Sequence, residues 1–264
     1  MLQQLCTQAC EIVSEVAEFI AAEAGKVSAD QIETKSLNSL VSYVDKTAET
    51  MLVSELGKLL PGSVFLTEEE TVKQANGEWQ WIIDPLDGTT NFLHGLPCFA
   101  VSVALRQNEE TVMGIVYEVT RKECFYAWKG GGAWLNGVRI SVTQTASLAD
   151  SLLATGFPYR DFEQLEPYLK VFTNFMKSTR GIRRFGAAAV DLAWVACGRF
   201  DAFYEYGLSP WDLAAGALLV QEAGGKISDF RGGDDYLFGE ELIAANAQLH
   251  QPVLDVIKQA FYPS

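Results

Sequence analysis

The sequence is poor in positive charge and in histidine. Its 264 residues include 20 Lys and Arg but 34 Asp and Glu, and only two His, so the net charge is −14. A surface for nucleic acid or for an anionic membrane needs basic patches, so neither of these partners is expected. An acidic protein can still bind a small anionic substrate, provided that a bound cation reverses the local sign of the charge.

Disulfide, leader and membrane signals are missing as well. The five cysteines are odd in number and none lies in a Cys-x-x-Cys pair, which is typical of a reduced protein with buried thiols. The N-terminal segment has no basic region, and Glu11, Glu15 and Glu18 interrupt its apolar residues. Neither a signal peptide nor a membrane-spanning segment is predicted, so we expect a cytoplasmic protein.

The first half of the chain predicts two helices and a mostly antiparallel sheet. Apolar residues recur at helical spacing from Leu2 to Ile20 and again from about 44 to 60. Strand-like segments follow at 63–70, 78–84, 99–107, 111–119, 123–128 and 133–140. The strand at 78–84 is expected to end at Asp84, and Asn136-Gly137 predicts a tight turn.

The second half alternates between helices and strands, which favours a layered α/β arrangement. Helices are predicted at 162–177, 186–198, 211–225 and 248–261, and strands at 151–155, 200–207, 225–230 and 242–246. No repeat or long linker separates the halves. We predict one unit over 1–264, with an α+β subdomain at about 1–146 and an α/β subdomain at about 147–264.

The segment WIIDPLDGTTNF, residues 81–92, ends a buried strand with two carboxylates. Pro85 cannot donate a further ladder hydrogen bond, and Asp87-Gly88 turns the chain. Asp84, Asp87 and the backbone carbonyl of Leu86 can therefore meet at one point. Such oxygen ligands suit Mg²⁺ or Ca²⁺.

A phosphate site is compatible with the next three residues, Gly88-Thr89-Thr90. If a helix starts there, its free N–H groups favour an anion. A metal site beside such amides indicates a phosphoryl-transfer centre.

Further acidic residues have both a functional and a structural interpretation. The three glutamates at 68–70 follow a strand, and such a run is most often a solvated surface. Asp212 starts an apolar helix, where it is equally explained as a helix cap. Asp87 can be explained in the same way, as a cap for the helix that follows it.

These motifs together resemble the Mg²⁺-dependent, lithium-sensitive inositol monophosphatases. The segments at 81–102 and at 211–225 resemble the two signatures of that family. The segments VFLTEEE at 64–70, LVSYVDKTAE at 40–49 and GIRRFGAAAVDLAWVACGRFDAFYE at 181–205 match in the same order. The resemblance covers nearly the whole chain, and with the order of elements it predicts an α-β-α-β-α sandwich.

The resemblance implies a set of metal ligands. Aligned on Phe65-Leu66, the chain departs from the family at Thr67, where glycine is frequent, and at the third glutamate. The implied cofactor is Mg²⁺, with two or three ions per subunit. The implied ligands are Glu68, Asp84, the carbonyl of Leu86, Asp87 and Asp212.

The resemblance also implies catalytic and substrate-binding residues. The implied catalytic residues are Thr89, Asp45 and Glu68. Thr89, paired with Asp45, would orient or deprotonate the attacking water, and Glu68 would also help to hold a third, weaker ion. Asp45 is otherwise explained as a helix N-cap, and Glu205 as an exposed strand residue. The amides of Gly88 and Thr89 would bind the phosphate, and Ala188 and Glu205 would meet the polyol hydroxyl groups. The full set of implied substrate-binding residues is Gly88, Thr89, Asp87, Ala188, Glu205 and Asp212.

The implied activity is hydrolysis of inositol 1-phosphate, or of a similar polyol or sugar monophosphate, by metal-activated water. Alternatives are a related phosphatase of fructose 1,6-bisphosphate or a nucleotide 3′-phosphate, and a non-catalytic metal-binding regulator. Family members are commonly homodimers, so we expect a dimer. The basic cluster of Arg180, Arg183 and Arg184 is expected to be a solvated face or a subunit contact.

Overall fold

The structure, a computed structural model, describes residues 2–36, 39–158 and 162–263. The helices are α1 (Leu2–Glu23), α2 (Tyr43–Leu59), α3 (Thr89–Leu93), α4 (Leu165–Ser178), α5 (Ala188–Ala196), α6 (Pro210–Glu222) and α7 (His250–Phe261). The strands of the first half are β1 (Ile32–Ser36), β2 (Ser39–Ser42), β3 (Val64–Thr67), β4 (Trp79–Asp87), β5 (Ala100–Gln107), β6 (Glu110–Glu118), β7 (Glu123–Trp128), β8 (Gly132–Leu135) and β9 (Val138–Ile140). Those of the second half are β10 (Leu152–Thr155), β11 (Gly181–Arg183), β12 (Ala202–Tyr206), β13 (Gly225–Ser228) and β14 (Glu241–Asn246).

Helices and sheets alternate in five layers, as predicted. Helices α1 and α2 pack on a seven-stranded sheet, α5 and α6 lie between that sheet and a five-stranded sheet, and α4 and α7 pack on the far side. Every residue of α5 is buried, because this helix is covered on all sides. None of the helices within the described ranges is long and apolar enough to cross a bilayer.

The seven-stranded sheet has the order β3-β4-β5-β6-β7-β8-β9 and is antiparallel except for the parallel pair β3–β4. The five-stranded sheet has the order β11-β10-β12-β14-β13 and mixes both directions. The predicted turn at Asn136-Gly137 is confirmed, since both residues have positive φ, 48° and 82°. The fold class is therefore confirmed, while the subdomain boundary near residue 146 stays a prediction.

Strand β4 does not end at Asp84, as the sequence analysis expects, but continues to Asp87. Asp84 pairs with Ser102 and Asp87 with Ala100, so three steps on β4 oppose two on β5. This irregularity falls at Pro85, which has no N–H to give to the ladder. The bulge lets both aspartates leave the strand toward the same cavity.

Two short strand pairings are not predicted by the sequence analysis. The hairpin of β1 and β2 and the edge strand β11 lack a long alternating pattern. Helix α4 begins at Leu165 instead of residue 162, and α7 at His250 instead of residue 248. Element ends depend on capping contacts that periodicity does not specify.

Candidate active site

A cavity of about 310 Å³ opens where β4, α3, α5, β12 and α6 meet. Among the described residues, its walls carry six carboxyl groups and a single arginine, which is an unusual excess of one charge in a partly enclosed space. The charged residues that line it are Glu68, Asp84, Asp87, Asp191, Glu205, Asp212 and Arg184.

Three carboxylates from two distant segments converge in this cavity. Oxygens of Asp84, Asp87 and Asp212 all lie within 4.8 Å of one another. Glu68 joins them, because its side chain is in hydrogen-bond contact with Asp84. The structure thus brings together the four side chains that the sequence analysis expects at the metal site.

Leu86, whose carbonyl is the fifth expected ligand, lines the same cavity. The amide of Leu86 donates to Asp84 Oδ1 at 2.9 Å, so the bulge is held by the aspartate that precedes it. The hydroxyl of Thr89 lies 3.0 Å from the Leu86 carbonyl oxygen.

Asp87 caps a helix, but not the one that follows it in sequence. The amide of Ala189 donates to Asp87 Oδ2 at 2.8 Å, and the amides of Ala188 and Val190 also bond to this carboxylate. Helix α5 has Ala187 at its N-cap and therefore no cap from its own side chains. A carboxylate from β4 supplies that cap and joins the two large sheets through α5.

Asp212 combines both of the interpretations that the sequence analysis leaves open. It is the third residue of α6, and its Oδ2 accepts a hydrogen bond from Ser209 N at 2.7 Å in a capping box. The same carboxylate belongs to the acidic cluster. The cap fixes the rotamer, and the rotamer directs the carboxylate into the cavity.

Thr89 and Asp45 are in contact, although they lie on different elements. Thr89 Oγ1 lies 3.0 Å from Asp45 Oδ1. Asp45 Oδ2 accepts from Ser42 N at 2.8 Å and from Ser42 Oγ at 2.7 Å, so Ser42 and not Asp45 is the N-cap of α2. This second contact orients Asp45 toward Thr89.

Gly88 allows the chain to turn between the carboxylates and α3. Its φ is +88°, and a Cβ there would lie 2.9 Å from the carbonyl oxygen of Cys98. The buried side chain of Asn91 bonds to that carbonyl and to the carbonyl of Phe185, each at 2.8 Å. These contacts hold the Gly-Thr-Thr segment at the cavity wall.

The residues present fit a divalent cation. In the metal-free protein, burial is the largest cause that raises the pKa of Asp84 well above its usual value, followed by the charges of Glu68 and Asp87. Burial likewise raises the pKa of Asp87 to about 7. A carboxylate cluster of this kind is stabilised by a hard cation with oxygen ligands, as Mg²⁺ is.

The same cavity holds the two predicted polyol contacts, Ala188 and Glu205. Glu205 is not an exposed strand residue, since it is only 6% exposed and burial raises its pKa well above the usual value. Its carboxylate lies so close to Gly156 that a Cβ on this glycine would be 1.8 Å from Glu205 Oε1.

Two charged residues of the cavity wall, Asp191 and Arg184, are absent from the set of site residues predicted from the sequence. Asp191 in α5 is buried, and its Oδ1 has no hydrogen-bond partner among the described residues. Arg184 is exposed, as expected for the basic cluster, and it also lines the cavity, with its guanidinium 5.6 Å from the centre of the Phe157 ring. A buried polar residue in an otherwise apolar helix is the sequence signal that points to Asp191.

Comparisons with known proteins agree with this geometry. The model of the inositol monophosphatase family matches residues 1–260. The Nus factor SuhB of Pseudomonas aeruginosa is 41% identical over 268 residues, covering 100% of this chain and 99% of the relative. The inositol-1-monophosphatase of Mesorhizobium japonicum is 42% identical over 236 residues, covering 89% of each. The crystal structure of the extragenic suppressor protein SuhB from Bartonella henselae superposes with a TM-score of 0.91, at 38% identity and 98% coverage of both chains.

Proposed function

We propose that this chain, which belongs to the inositol monophosphatase family, hydrolyses inositol 1-phosphate or a similar polyol or sugar monophosphate in a Mg²⁺-dependent reaction. The observation that carries the proposal is the convergence of Asp84, Asp87 and Asp212 within 4.8 Å beside the Thr89–Asp45 pair. The M. japonicum relative, named inositol-1-monophosphatase, supports the choice of substrate.

The acidic residues would hold the cofactor. Glu68, Asp84, Asp87, Asp212 and the Leu86 carbonyl are the proposed ligands for two or three Mg²⁺ ions. When bound, Mg²⁺ supplies charge stabilisation for the phosphoryl group and lowers the pKa of a coordinated water. This explains how a cavity with six carboxyl groups can accept an anionic substrate.

Thr89 and Asp45 would position the attacking water. The Thr89 hydroxyl can donate one hydrogen bond, and Asp45 Oδ1 at 3.0 Å is a suitable acceptor. With its proton directed to Asp45, the hydroxyl oxygen can accept a hydrogen bond from water and orient it toward phosphorus. The amides of Gly88 and Thr89 are the proposed donors to the phosphate oxygens.

Glu205, with the backbone at Ala188, would bind the polyol hydroxyl groups. A buried carboxyl group that faces a cavity is a strong hydrogen-bond partner for a hydroxyl, because the surroundings exclude competing water. The sequence Thr89-Thr90-Asn91-Phe92 favours the inositol phosphatase branch over relatives that act on fructose 1,6-bisphosphate or on nucleotide 3′-phosphates.

The test is phosphate release from inositol 1-phosphate with Mg²⁺, comparing wild type with Asp87→Asn. We expect the variant to lose about 100-fold or more of kcat/KM while staying folded, because it removes a negative ligand. Glu118→Gln is the matched control, since Glu118 is also a buried carboxylate but does not line the cavity. Equal activity of wild type and Asp87→Asn would refute the proposal, and fructose 1,6-bisphosphate and adenosine 3′,5′-bisphosphate in the same panel test the alternatives.

The relatives named Nus factor SuhB favour a second candidate, a role as a Nus factor beside hydrolysis. This role would make the chain a regulator that keeps the fold and the metal site. The test is replacement of the Escherichia coli Nus factor SuhB by this chain in cells, with wild type and Asp87→Asn in parallel. If wild type and Asp87→Asn can both replace the Escherichia coli protein, the Nus factor role does not depend on hydrolysis. If neither can, the result argues against the Nus factor role.

We further propose a cytoplasmic homodimer, on the basis of the resemblance alone. Light scattering coupled to size-exclusion chromatography measures the mass in solution, for which a dimer of the 29.0 kDa chain is expected. A mass equal to one chain would contradict the dimer.

A further inference from the structure

We propose that Glu49 is a positioning residue, whose buried carboxylate shapes the 67–71 turn so that Glu68 faces the metal site. Glu49 lies in α2, one helical turn after Asp45, and its exposed fraction is 0%. The inference rests on the proposed function, because it assigns to Glu49 a part in building the proposed metal site.

The carboxylate of Glu49 accepts four hydrogen bonds from the turn that carries Glu68. Oε1 accepts from Thr67 Oγ1 at 2.9 Å, from Thr71 N at 2.7 Å and from Thr71 Oγ1 at 2.7 Å. Oε2 accepts from Glu69 N at 2.7 Å. The donors stand at 67, 69 and 71, so they enclose the metal-site glutamate on both sides.

Other hydrogen bonds of the described residues hold the start of the turn. The backbone of Thr67 is bound by the side chain of Gln74, with Thr67 N to Gln74 Oε1 at 2.9 Å and Gln74 Nε2 to Thr67 O at 2.7 Å. The next amide, that of Glu68, donates to Ile83 O at 3.2 Å. Glu70 has a φ of +52°, a conformation that costs energy for a residue with a side chain. Glu49 supplies the hydrogen bonds that offset this strain.

Helix α2 therefore supports the candidate site through two carboxylates on one face. Asp45 contacts Thr89, and Glu49 contacts the 67–71 turn. Residues four apart lie on the same side of a helix, so one rigid element positions both the water-orienting hydroxyl and Glu68.

A carboxylate is needed because every partner of Glu49 is a donor. A glutamine amide has one oxygen and one NH₂ group. Each carboxylate oxygen accepts from a backbone N–H, Glu69 N on one side and Thr71 N on the other. In either orientation, Glu49→Gln would direct its NH₂ group at a backbone donor, so the turn must move.

The experiment measures Mg²⁺ binding by isothermal titration calorimetry without substrate, together with thermal unfolding. We expect Glu49→Gln to raise the Kd for Mg²⁺ about 10–100-fold, which is typical when a residue that orients a metal ligand is replaced. At saturating Mg²⁺, the kcat of Glu49→Gln should be reduced by a smaller factor than its affinity for Mg²⁺, because Glu49 touches neither the ion nor the substrate.

Glu118→Gln is the matched control for loss of buried hydrogen bonds. Glu118 is also 0% exposed, and it accepts from Thr120 Oγ1 and from Arg121 N, each at 2.6 Å, in a turn outside the cavity. We expect Glu118→Gln to lower the unfolding temperature while the Kd for Mg²⁺ stays within about twofold of wild type. An equal change of Kd in the two variants, or no change in either, would overturn the proposal.

If Glu49→Gln does not fold, Thr71→Val and its control Thr120→Val take its place. Each removes one hydroxyl donor to the corresponding carboxylate. We expect a higher Kd for Mg²⁺ with Thr71→Val but not with Thr120→Val. An unchanged Kd in Thr71→Val would overturn the proposal. Wild type that binds no Mg²⁺ would instead refute the proposed function, so the two failures are distinguishable.

Discussion

The Asp87 carboxylate accepts a hydrogen bond from the amide of Ala189 at 2.8 Å, across 102 residues of sequence. The contact joins a strand of the seven-stranded sheet to a helix between the two large sheets. One carboxylate thus caps α5 with one oxygen while the cluster with Asp84 and Asp212 forms around it. The position of the candidate metal site is tied to the packing of the layers.

Because of this double role, Asp87→Asn should stabilise the metal-free protein while it weakens metal binding. An asparagine Oδ1 can still accept from Ala189 N, and the buried negative charge is removed. We expect the unfolding temperature without Mg²⁺ at pH 8 to rise by about 3 °C or more. Added Mg²⁺ should stabilise the variant less than wild type, as measured by scanning calorimetry, and a large drop in unfolding temperature would contradict this account.

The metal-free protein should become less stable as the pH rises. Burial raises the pKa of Asp87 to about 7 in the folded protein, against about 3.9 in the unfolded chain. The stability that protonation contributes is therefore fully present below the lower value and is lost as the pH rises through the upper one. Denaturation curves between about pH 5 and 8 should show this loss without Mg²⁺, and Asp87→Asn should reduce the slope. A pH-independent stability would contradict the prediction.

Gly88→Ala should disrupt the cavity wall. The substitution combines a φ of +88° with a Cβ 2.9 Å from Cys98 O and 3.3 Å from Ala187 Cβ. We expect a loss of about 1–3 kcal/mol in the free energy of unfolding, and a loss of phosphatase activity. Gly95→Ala is the control, because φ there is +67° but the space is open, and it should cost about 1 kcal/mol with activity retained. Equal effects in urea denaturation would exclude a steric cause.

Thr89→Val should reduce kcat far more than Mg²⁺ affinity. Valine keeps the shape of threonine but loses the hydroxyl that lies 3.0 Å from Asp45 Oδ1. If this hydroxyl orients the attacking water, kcat should fall by about 10²–10⁴-fold. Thr89→Ser should stay within about tenfold of wild type, because it keeps the hydroxyl. The prediction fails if Thr89→Val retains the kcat of wild type at saturating Mg²⁺.

Glu205→Gln should change substrate preference without removing the chemistry. Glu205 lines the same cavity but is not one of the three carboxylates, Asp84, Asp87 and Asp212, that lie within 4.8 Å of one another. We expect the ratio of kcat/KM for inositol 1-phosphate over ethyl phosphate, which has no free hydroxyl, to fall by about tenfold or more. Gly156→Ala should act similarly, since its Cβ would displace the Glu205 carboxylate. An unchanged ratio in both variants would remove Glu205 from the proposed polyol site.

The sequence by itself determined most of the elements, the fold class and the identity of the acidic motif. Apolar periodicity is a local property, so α1, α2 and the β5–β6 hairpin could be located from it. The Asp-Pro-x-Asp spacing predicted two carboxylates at one point, because proline and a turn act over only a few residues. The predicted end of strand β4 at Asp84 is nevertheless wrong, because the continuation of the strand through Pro85 to Asp87 depends on pairing with β5.

Only the tertiary structure decided which side chains meet. Asp45 and Thr89 are 44 residues apart, and Glu49 reaches the 67–71 turn from another layer. From the sequence alone, Glu205 can be explained as an exposed strand residue. The packing of β12 against α5 buries it instead. Such contacts depend on how helices and sheets stack, and the pattern of one segment contains no information on the segment that will cover it.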